Sequence, residues 1–254
     1  VNEGFRVVIP ARLGSTRLPE KVLRPIGGKL LVQHVFETAW RSGPDEVIVA
    51  TDSERVAAAC RDFGAVIAMT SPLHPSGTDR INEVAQMRGW PDDVIVVNLQ
   101  GDEPLMPPAL IREVAELLEH DNDAHIATLC HPLHAQDDWL NPNFVKVVRD
   151  RNGYALYFSR APIPWRRDGN SRSVTLPDKL AFRHLGLYAY RVGALRRFSA
   201  LPPSPLETCE SLEQLRALEH GFRIRVGVTE RPAPRGVDCE EDLVAVAAEL
   251  AGRG

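Results

Sequence analysis

Val7-Val8-Ile9-Pro10-Ala11-Arg12-Leu13-Gly14-Ser15-Thr16-Arg17-Leu18-Pro19-Glu20-Lys21 is the stretch from which the fold is read. Its β-branched opening reads as a short buried strand, and Pro10 breaks it into a loop carrying Gly14, Ser15 and Thr16. Between Ala11 and Arg24 stand Arg12, Arg17, Lys21 and Arg24 against one acid, Glu20, in a chain whose net charge is −4. Fixed positive charge on a loop leaving an early strand suits a polyphosphate, because ligands of α/β sheets bind at the carboxyl ends of the strands. Gly14 lets backbone N–H groups approach oxyanions, Ser15 and Thr16 add donors, and Arg and Lys supply a planar fork and a point charge. The same residues also read as a solvated basic loop. Neither the P-loop pattern nor the dinucleotide glycine fingerprint occurs here.

Working outward, residues 30–40 show helical spacing, with Leu31, Val35 and Ala39 on one face and Gly43-Pro44 as the stop. Residues 47–50 read as a strand, Thr51-Asp52-Ser53 as a cap for a helix over 54–63, and 66–69 as another strand after Gly64. Strand and helix alternate without repeat or linker, which predicts an α/β fold: a Rossmann-like, mostly parallel sheet with crossover helices. Ser76-Gly77-Thr78-Asp79-Arg80 follows a loop bounded by Pro72 and Pro75 and opens a helix through Met87. It reads either as a helix cap or as a nucleotide contact. Residues 94–99 are the most strand-like run and end in Gln100-Gly101-Asp102-Glu103-Pro104, ahead of a helix over 109–119. Acids at such a strand end are costly unless paired or metal-bound, and a carboxylate there could hold Mg²⁺ against phosphate oxygens.

After a strand over 125–130 the pattern changes. Residues 144–148 and 154–158 alternate around a turn at 150–153, predicting an antiparallel hairpin. A polar segment, 166–178, reads as a mobile loop. The strand over 183–190 places His184 and Tyr188 on one face, where with Arg160 they could form a pocket for a carboxylate and hydroxyls. A buried histidine reads equally as a satisfied core residue. A helix over 207–220, stopped by Gly221, aligns Glu207, Glu210, Ser211 and Gln214, a stripe that also reads as solvated surface. A strand over 222–228 leads to Gly236-Val237-Asp238 and a last helix, which Asp238 could cap.

Composition bounds the rest. The 254 residues, 44% hydrophobic and 25% charged, suit one globular domain, 1–254, with an inserted region at about 143–206. The acidic balance argues against nucleic-acid or anionic-membrane binding. No apolar run approaches the roughly 20 residues that span a bilayer. Residues 1–4 carry neither a charged nor an apolar leader region, so no secretory signal is expected, and the missing Met suggests processing or trimming. Cys60, Cys130, Cys209 and Cys239 form no C-x-x-C pair and read as reduced cysteines of a cytoplasmic protein. Cys130-His131 with His134 has no second ligand pair and is interrupted by Pro132, which disfavours a metal site.

Ile9-Pro10-Ala11-Arg12, Ser15-Thr16-Arg17-Leu18-Pro19 and Lys21 together resemble the opening signature of the CMP-sugar synthetases, the sugar nucleotidyltransferases that activate sugar acids with CTP. Gln100-Gly101-Asp102-Glu103-Pro104 is similar to that family's second signature, and Ser76 to Arg80 to its nucleotide segment. Tyr157-Phe158-Ser159-Arg160-Ala161, Arg183-His184-Leu185-Gly186, Leu212-Glu213-Gln214-Leu215-Arg216 and Gly236-Val237-Asp238 extend the resemblance over about 7–243. Cys239 stands where many relatives have Thr. The Ser-Thr-Arg-Leu-Pro form favours the branch acting on 3-deoxy-manno-octulosonate (Kdo) over the sialic acid branch.

The resemblance implies a nucleotide-diphospho-sugar transferase type of fold with a smaller antiparallel region for sugar binding and dimerisation. It implies CMP transfer from CTP to the anomeric hydroxyl of Kdo for lipopolysaccharide biosynthesis, by a cytoplasmic homodimer with Mg²⁺. Arg12, Lys21 and Asp102 would be catalytic. Pro10, Ala11, Arg12, Arg17, Lys21, Ser76, Arg80 and Gln100 would meet the nucleotide. Gln100, Arg160, His184, Tyr188, Glu213 and Gln214 would meet the sugar acid, and Asp102 and Asp238 the metal. No side chain stands out as a general base. Two alternatives stay open: a nucleotidyltransferase for another sugar acid or for UTP and a sugar phosphate, and a nucleotide-binding regulatory protein without chemistry. The intact set of Asp102, Asp238, Arg12 and Lys21 speaks against the second.

Overall fold

Runs of Val and Ile, stiff at χ1 and suited to a pleated surface, become the strands, and segments with one apolar face become the helices between them. A computed structural model describes residues 4–14, 17–167, 176–177, 179–232 and 234–252. The chain begins with Phe5–Pro10 (β1), a 3₁₀ turn Lys21–Leu23, the small hairpin Pro25–Ile26 (β2) and Lys29–Leu30 (β3), then Leu31–Arg41 (α1) and Glu46–Thr51 (β4). Next come Glu54–Arg61 (α2), Val66–Met69 (β5), Gly77–Met87 (α3), Ile95–Asn98 (β6) and Pro108–Glu119 (α4). Ile126–Pro132 (β7), Gln136–Leu140 (α5), Lys146–Arg149 (β8), Ala155–Ser159 (β9) and Phe182–Arg191 (β10) follow. The remainder is Val192–Ser199 (α6), Pro205–Glu210 (α7), Gln214–Glu219 (α8), Ile224–Val228 (β11) and Glu240–Ala251 (α9).

These elements form two compact units, one of Val1–Glu116, Ala189–Ser199 and Pro234–Gly254, the other of Leu117–Tyr188 and Ala200–Ala233. In the first unit β6, β1, β4 and β5 lie side by side, all parallel, with Val8 facing Ile48 on one side and Asn98 on the other. Parallel neighbours require crossover connections, which α1 and α2 supply. Val7, Val8, Ile9, Val47, Ile48 and Val49 are all buried completely, as a sheet covered on both faces demands. Ser53 caps α2 by accepting from the Val56 N–H, and Ser76 caps α3 by accepting from the Asp79 N–H.

In the second unit β11 and β7 are parallel, while β8 pairs antiparallel with both β9 and β10. Lys146, fully buried, gives its ammonium to the carbonyls of Asn141, Phe144 and Arg160, so burial costs it no unmet donor. Trp139 packs with Leu133, Ala181 and Leu176, and its indole N–H reaches the Ile163 carbonyl at 3.1 Å.

The mostly parallel sheet, its crossover helices and the smaller antiparallel region match the expected fold class. The second compact unit starts at Leu117 and takes in 200–233, while 189–199 belong to the first, so it overlaps the expected insert at 143–206 without sharing its bounds. One expected element is corrected. The helix over 207–220 is two short helices, α7 and α8, separated where Ser211 turns left-handed at φ 52°. Most of the segment 166–178, expected as a mobile loop, lies outside the described residues, as do Ser15 and Thr16.

Candidate active site

The loops that follow β1 and β6 leave neighbouring strands at their carboxyl ends and line one cavity. Their close approach requires Gly101, since a Cβ there would meet the Pro10 carbonyl oxygen at 2.8 Å. Gly77, at the start of α3, is less crowded, a Cβ there meeting the Pro10 ring at 3.2 Å and the Gln100 amide at 3.4 Å. Pro10, Arg12, Gly14, Arg17, Lys21, His74, Ser76, Arg80, Gln100, Asp102 and Asp238 all face this cavity. Every expected nucleotide or metal residue except Ala11 is among them, and Ala11 is fully buried, its N–H donating to the Ala50 carbonyl.

The chemistry centres on Lys21. Glu20 adopts a left-handed conformation, φ 56°, and its carboxylate is held by Arg55. That turn sends Lys21 inward, where Nζ donates to Asp102 Oδ2 at 2.6 Å and to Asp238 Oδ1 at 3.2 Å. Arg17 adds a second cation at 3.2 Å from Asp238. Burial disfavours the charge on Lys21, but Asp102 and then Asp238 outweigh it and hold the ammonium above its ordinary range. Asp238 reaches the site because the Val237 N–H donates to the Asp102 carbonyl at 2.9 Å. The reading of Asp238 as a helix cap is corrected: Cys239 is the N-cap of α9, in a reciprocal arrangement with Asp242. That leaves the Asp238 carboxylate facing the cavity.

Ser76 both caps α3 and donates to Asp79 at 2.8 Å. Arg80 is buried against Thr70 and lies 3.4 Å from Asp52. The Gln100 amide donates to the buried Asn98 Oδ1 at 3.0 Å, which fixes its orientation. The sequence reading missed Asn98 and His74. His74 Nε2 lies 2.5 Å from a Glu83 carboxylate oxygen that also accepts from the Ser71 N–H. Its signal was available, as a histidine in the proline-bounded loop just before Ser76.

The remaining candidates lie in the second unit. His184 and Tyr188 share a face of β10, their rings 5.2 Å apart. Thr128 Oγ1 donates to the Leu187 carbonyl at 2.7 Å, so its 2.9 Å contact with His184 has Nε2–H as the donor. Burial pushes the His184 pKa down to about 3. The Arg160 guanidinium donates to the carbonyls of Glu210, Pro142 and Ser211, while its backbone N–H and the Ser159 hydroxyl hold the Glu210 carboxylate. Glu213 lies 3.4 Å from Arg216, and Gln214 opens α8.

Among the described residues no group of three or more His, Cys, Asp or Glu side chains could hold a metal, which includes Cys130, His131 and His134. Asp102 and Asp238 are a two-carboxylate set. Mg²⁺ takes one or two protein carboxylates and completes its shell with water and substrate oxygens. A cationic group already rests between these two carboxylates, so the pair is arranged to take positive charge.

The profile described as "Cytidylyltransferase" matches residues 6–224. The chain belongs to the cytidylyltransferase family. This cytidylyltransferase is 56% identical over 252 residues to a 3-deoxy-manno-octulosonate cytidylyltransferase of Halorhodospira halophila, covering 97% of this chain and 96% of that one. It is 54% identical to the protein of the same name from Marinobacter nauticus, with 94% of each chain covered. A solved structure of CMP:2-keto-3-deoxy-manno-octonic acid synthetase complexed with CTP superposes with a TM-score of 0.89 at 42% identity, covering 98% of this chain and 100% of that one.

Proposed function

We propose that this cytidylyltransferase transfers CMP from CTP to the anomeric hydroxyl of Kdo, releasing pyrophosphate and making CMP-Kdo for lipopolysaccharide biosynthesis. The observation that carries the reading is the meeting of Arg12, Arg17 and Lys21 with Asp102 and Asp238 in one cavity at the strand ends. Relatives more than half identical over nearly their whole length carry the matching name.

Phosphoryl transfer asks a protein for positioning and charge neutralisation more than for covalent help. The anomeric hydroxyl oxygen, giving up its proton to solvent, bonds to the α-phosphorus as the bond from that phosphorus to the α–β bridging oxygen breaks, and that oxygen departs on pyrophosphate. Arg12, Arg17 and Lys21 supply cations for the triphosphate and the leaving pyrophosphate. Ser76, Arg80 and Gln100 orient the nucleotide, Gln100 with its amide set by Asn98. Asp102 and Asp238 would hold Mg²⁺, which when bound neutralises phosphate charge and lowers the pKa of the attacking hydroxyl. Arg160, His184, Tyr188, Glu213 and Gln214 are the proposed sugar-acid contacts.

A homodimer belongs to the same reading. Its support is exposed apolar side chains of the second unit, Leu156 at 61% and Leu180 at 60% exposure. Sedimentation at micromolar concentration tests it, and a monomer would end it. Cytoplasmic residence fits a consumer of CTP, and among the described residues no helix is long and apolar enough to cross a membrane.

Pyrophosphate release with CTP and Mg²⁺, with Kdo, sialic acid or no sugar, decides the function. Release with Kdo alone is expected, and Asp102→Asn is expected to lower it by about 100-fold or more while leaving the fold intact. Release with sialic acid alone would move the protein to another acceptor. Silence with all three, despite CTP binding, would make it a nucleotide-binding protein without chemistry.

A further inference from the structure

The two carboxylates of the cavity already have a cation, and it belongs to the protein. Lys21 Nζ sits 2.6 Å from Asp102 and 3.2 Å from Asp238, with the lysine side chain only 11% exposed. The ammonium is not what brings the acids together. The Val237 N–H on the Asp102 carbonyl and the close seating of Gly101 on Pro10 do that through backbone. Without Lys21 the acids would stay adjacent, with Arg17 on Asp238 as an exposed partner at 3.2 Å. A divalent cation needs the same oxygens. Two cations cannot share them at contact distance without strong mutual repulsion.

We propose that Lys21 is the resident counter-ion of the Asp102–Asp238 pair, and that a divalent cation enters by exchange with its ammonium, which then turns to the anionic ligand of the cavity. The inference rests on the reading of Asp102 and Asp238 as metal ligands. It has a direct consequence for binding. A displaced, mostly buried ammonium needs a new anion. A triphosphate in the cavity supplies one, so metal and nucleotide each strengthen the other's binding by the same factor.

The test is a Mn²⁺ titration of nucleotide-free protein, followed by electron paramagnetic resonance of the free ion, on wild type, Lys21→Met, Asp238→Asn and the double variant. Lys21→Met is expected to bind Mn²⁺ about tenfold or more tighter than wild type. Asp238→Asn is expected to abolish that gain, and Mg²⁺ to raise the Tm of Lys21→Met more than that of wild type. Should Lys21→Met not fold without metal, Lys21→Gln, which keeps one donor and loses the charge, carries the comparison. Equal or weaker Mn²⁺ binding by the lysine variants, with binding still dependent on Asp238, would overturn the exchange and leave the metal ligands standing. Mn²⁺ binding that is absent, or indifferent to Asp238, in all four proteins would overturn both.

Discussion

His184, offered as a sugar-acid contact, shows how closely neighbours can set a side chain. Its Nε2–H is committed to Thr128, its ring packs edge-on against Phe158, and its pKa lies near 3 against an ordinary 6.5. Between those values the unfolded chain carries a proton at this position that the folded chain refuses. The stability present above pH 6.5 is therefore lost as pH falls towards 3, by up to about 1.4 kcal/mol per pH unit. His184→Gln keeps a donor and removes the titration. Urea unfolding between about pH 6.5 and 4.5 should show a flatter loss of stability in the variant, and identical slopes would refute the assignment. Arg160 is a parallel case: the sequence offered a guanidinium for a carboxylate, and the structure gives that guanidinium three carbonyl partners.

The break between α7 and α8 is a property of the elements. Ser204 and Glu207 form a reciprocal cap at the start of α7, with Pro205 in the first turn, and Arg216 of α8 reaches back to Glu207 at 2.9 Å. At Ser211 the chain turns left-handed. Glycine in a helix interior costs about 1 kcal/mol, whereas at a left-handed helix end it relieves a backbone penalty. Ser211→Gly should therefore leave the Tm unchanged or raise it, and a clear drop would argue for one continuous helix. Local sequence could not signal this break, because a serine carries no left-handed preference and Glu207, Glu210, Ser211 and Gln214 keep helical spacing across it. The strands of the first unit were legible for the opposite reason. The β-branched runs of β1, β4 and β6 are buried on both faces, so composition and burial agree. The candidate site was legible only in halves: Arg12, Arg17, Lys21 and Asp102 announced themselves as charge at strand ends. The partnership of Asp238 with Asp102 has no local signal and entered through family resemblance alone, and the contact of Lys21 with Asp238, 217 residues away, has no signal in the sequence at all.

At the scale of the whole molecule, neither unit is a continuous piece of chain. The backbone passes between them after Glu116, Tyr188, Ser199 and Ala233. A unit that owns three separate segments pays loop-closure entropy for every unstructured segment between them, which couples its folding to theirs. We expect one cooperative unfolding transition. Trp40 and Trp90 report on the first unit, Trp139 and Trp165 on the second. Variants keeping only one pair should give coincident denaturation midpoints. Separated midpoints would mean that the units unfold independently.

The distance along the chain between Lys21 and Asp238 also sets a timetable. A ribosome making this protein delivers the basic groups of the cavity early, Asp102 midway, and the second carboxylate only after 217 further residues have followed Lys21. For most of synthesis the loop after β1 therefore presents its cations amid RNA with half of its internal neutralisation missing. Stalled chains ending short of and beyond Asp238, compared for retention on RNA at low salt, would reveal whether this interval is felt, and equal retention would show that it is not.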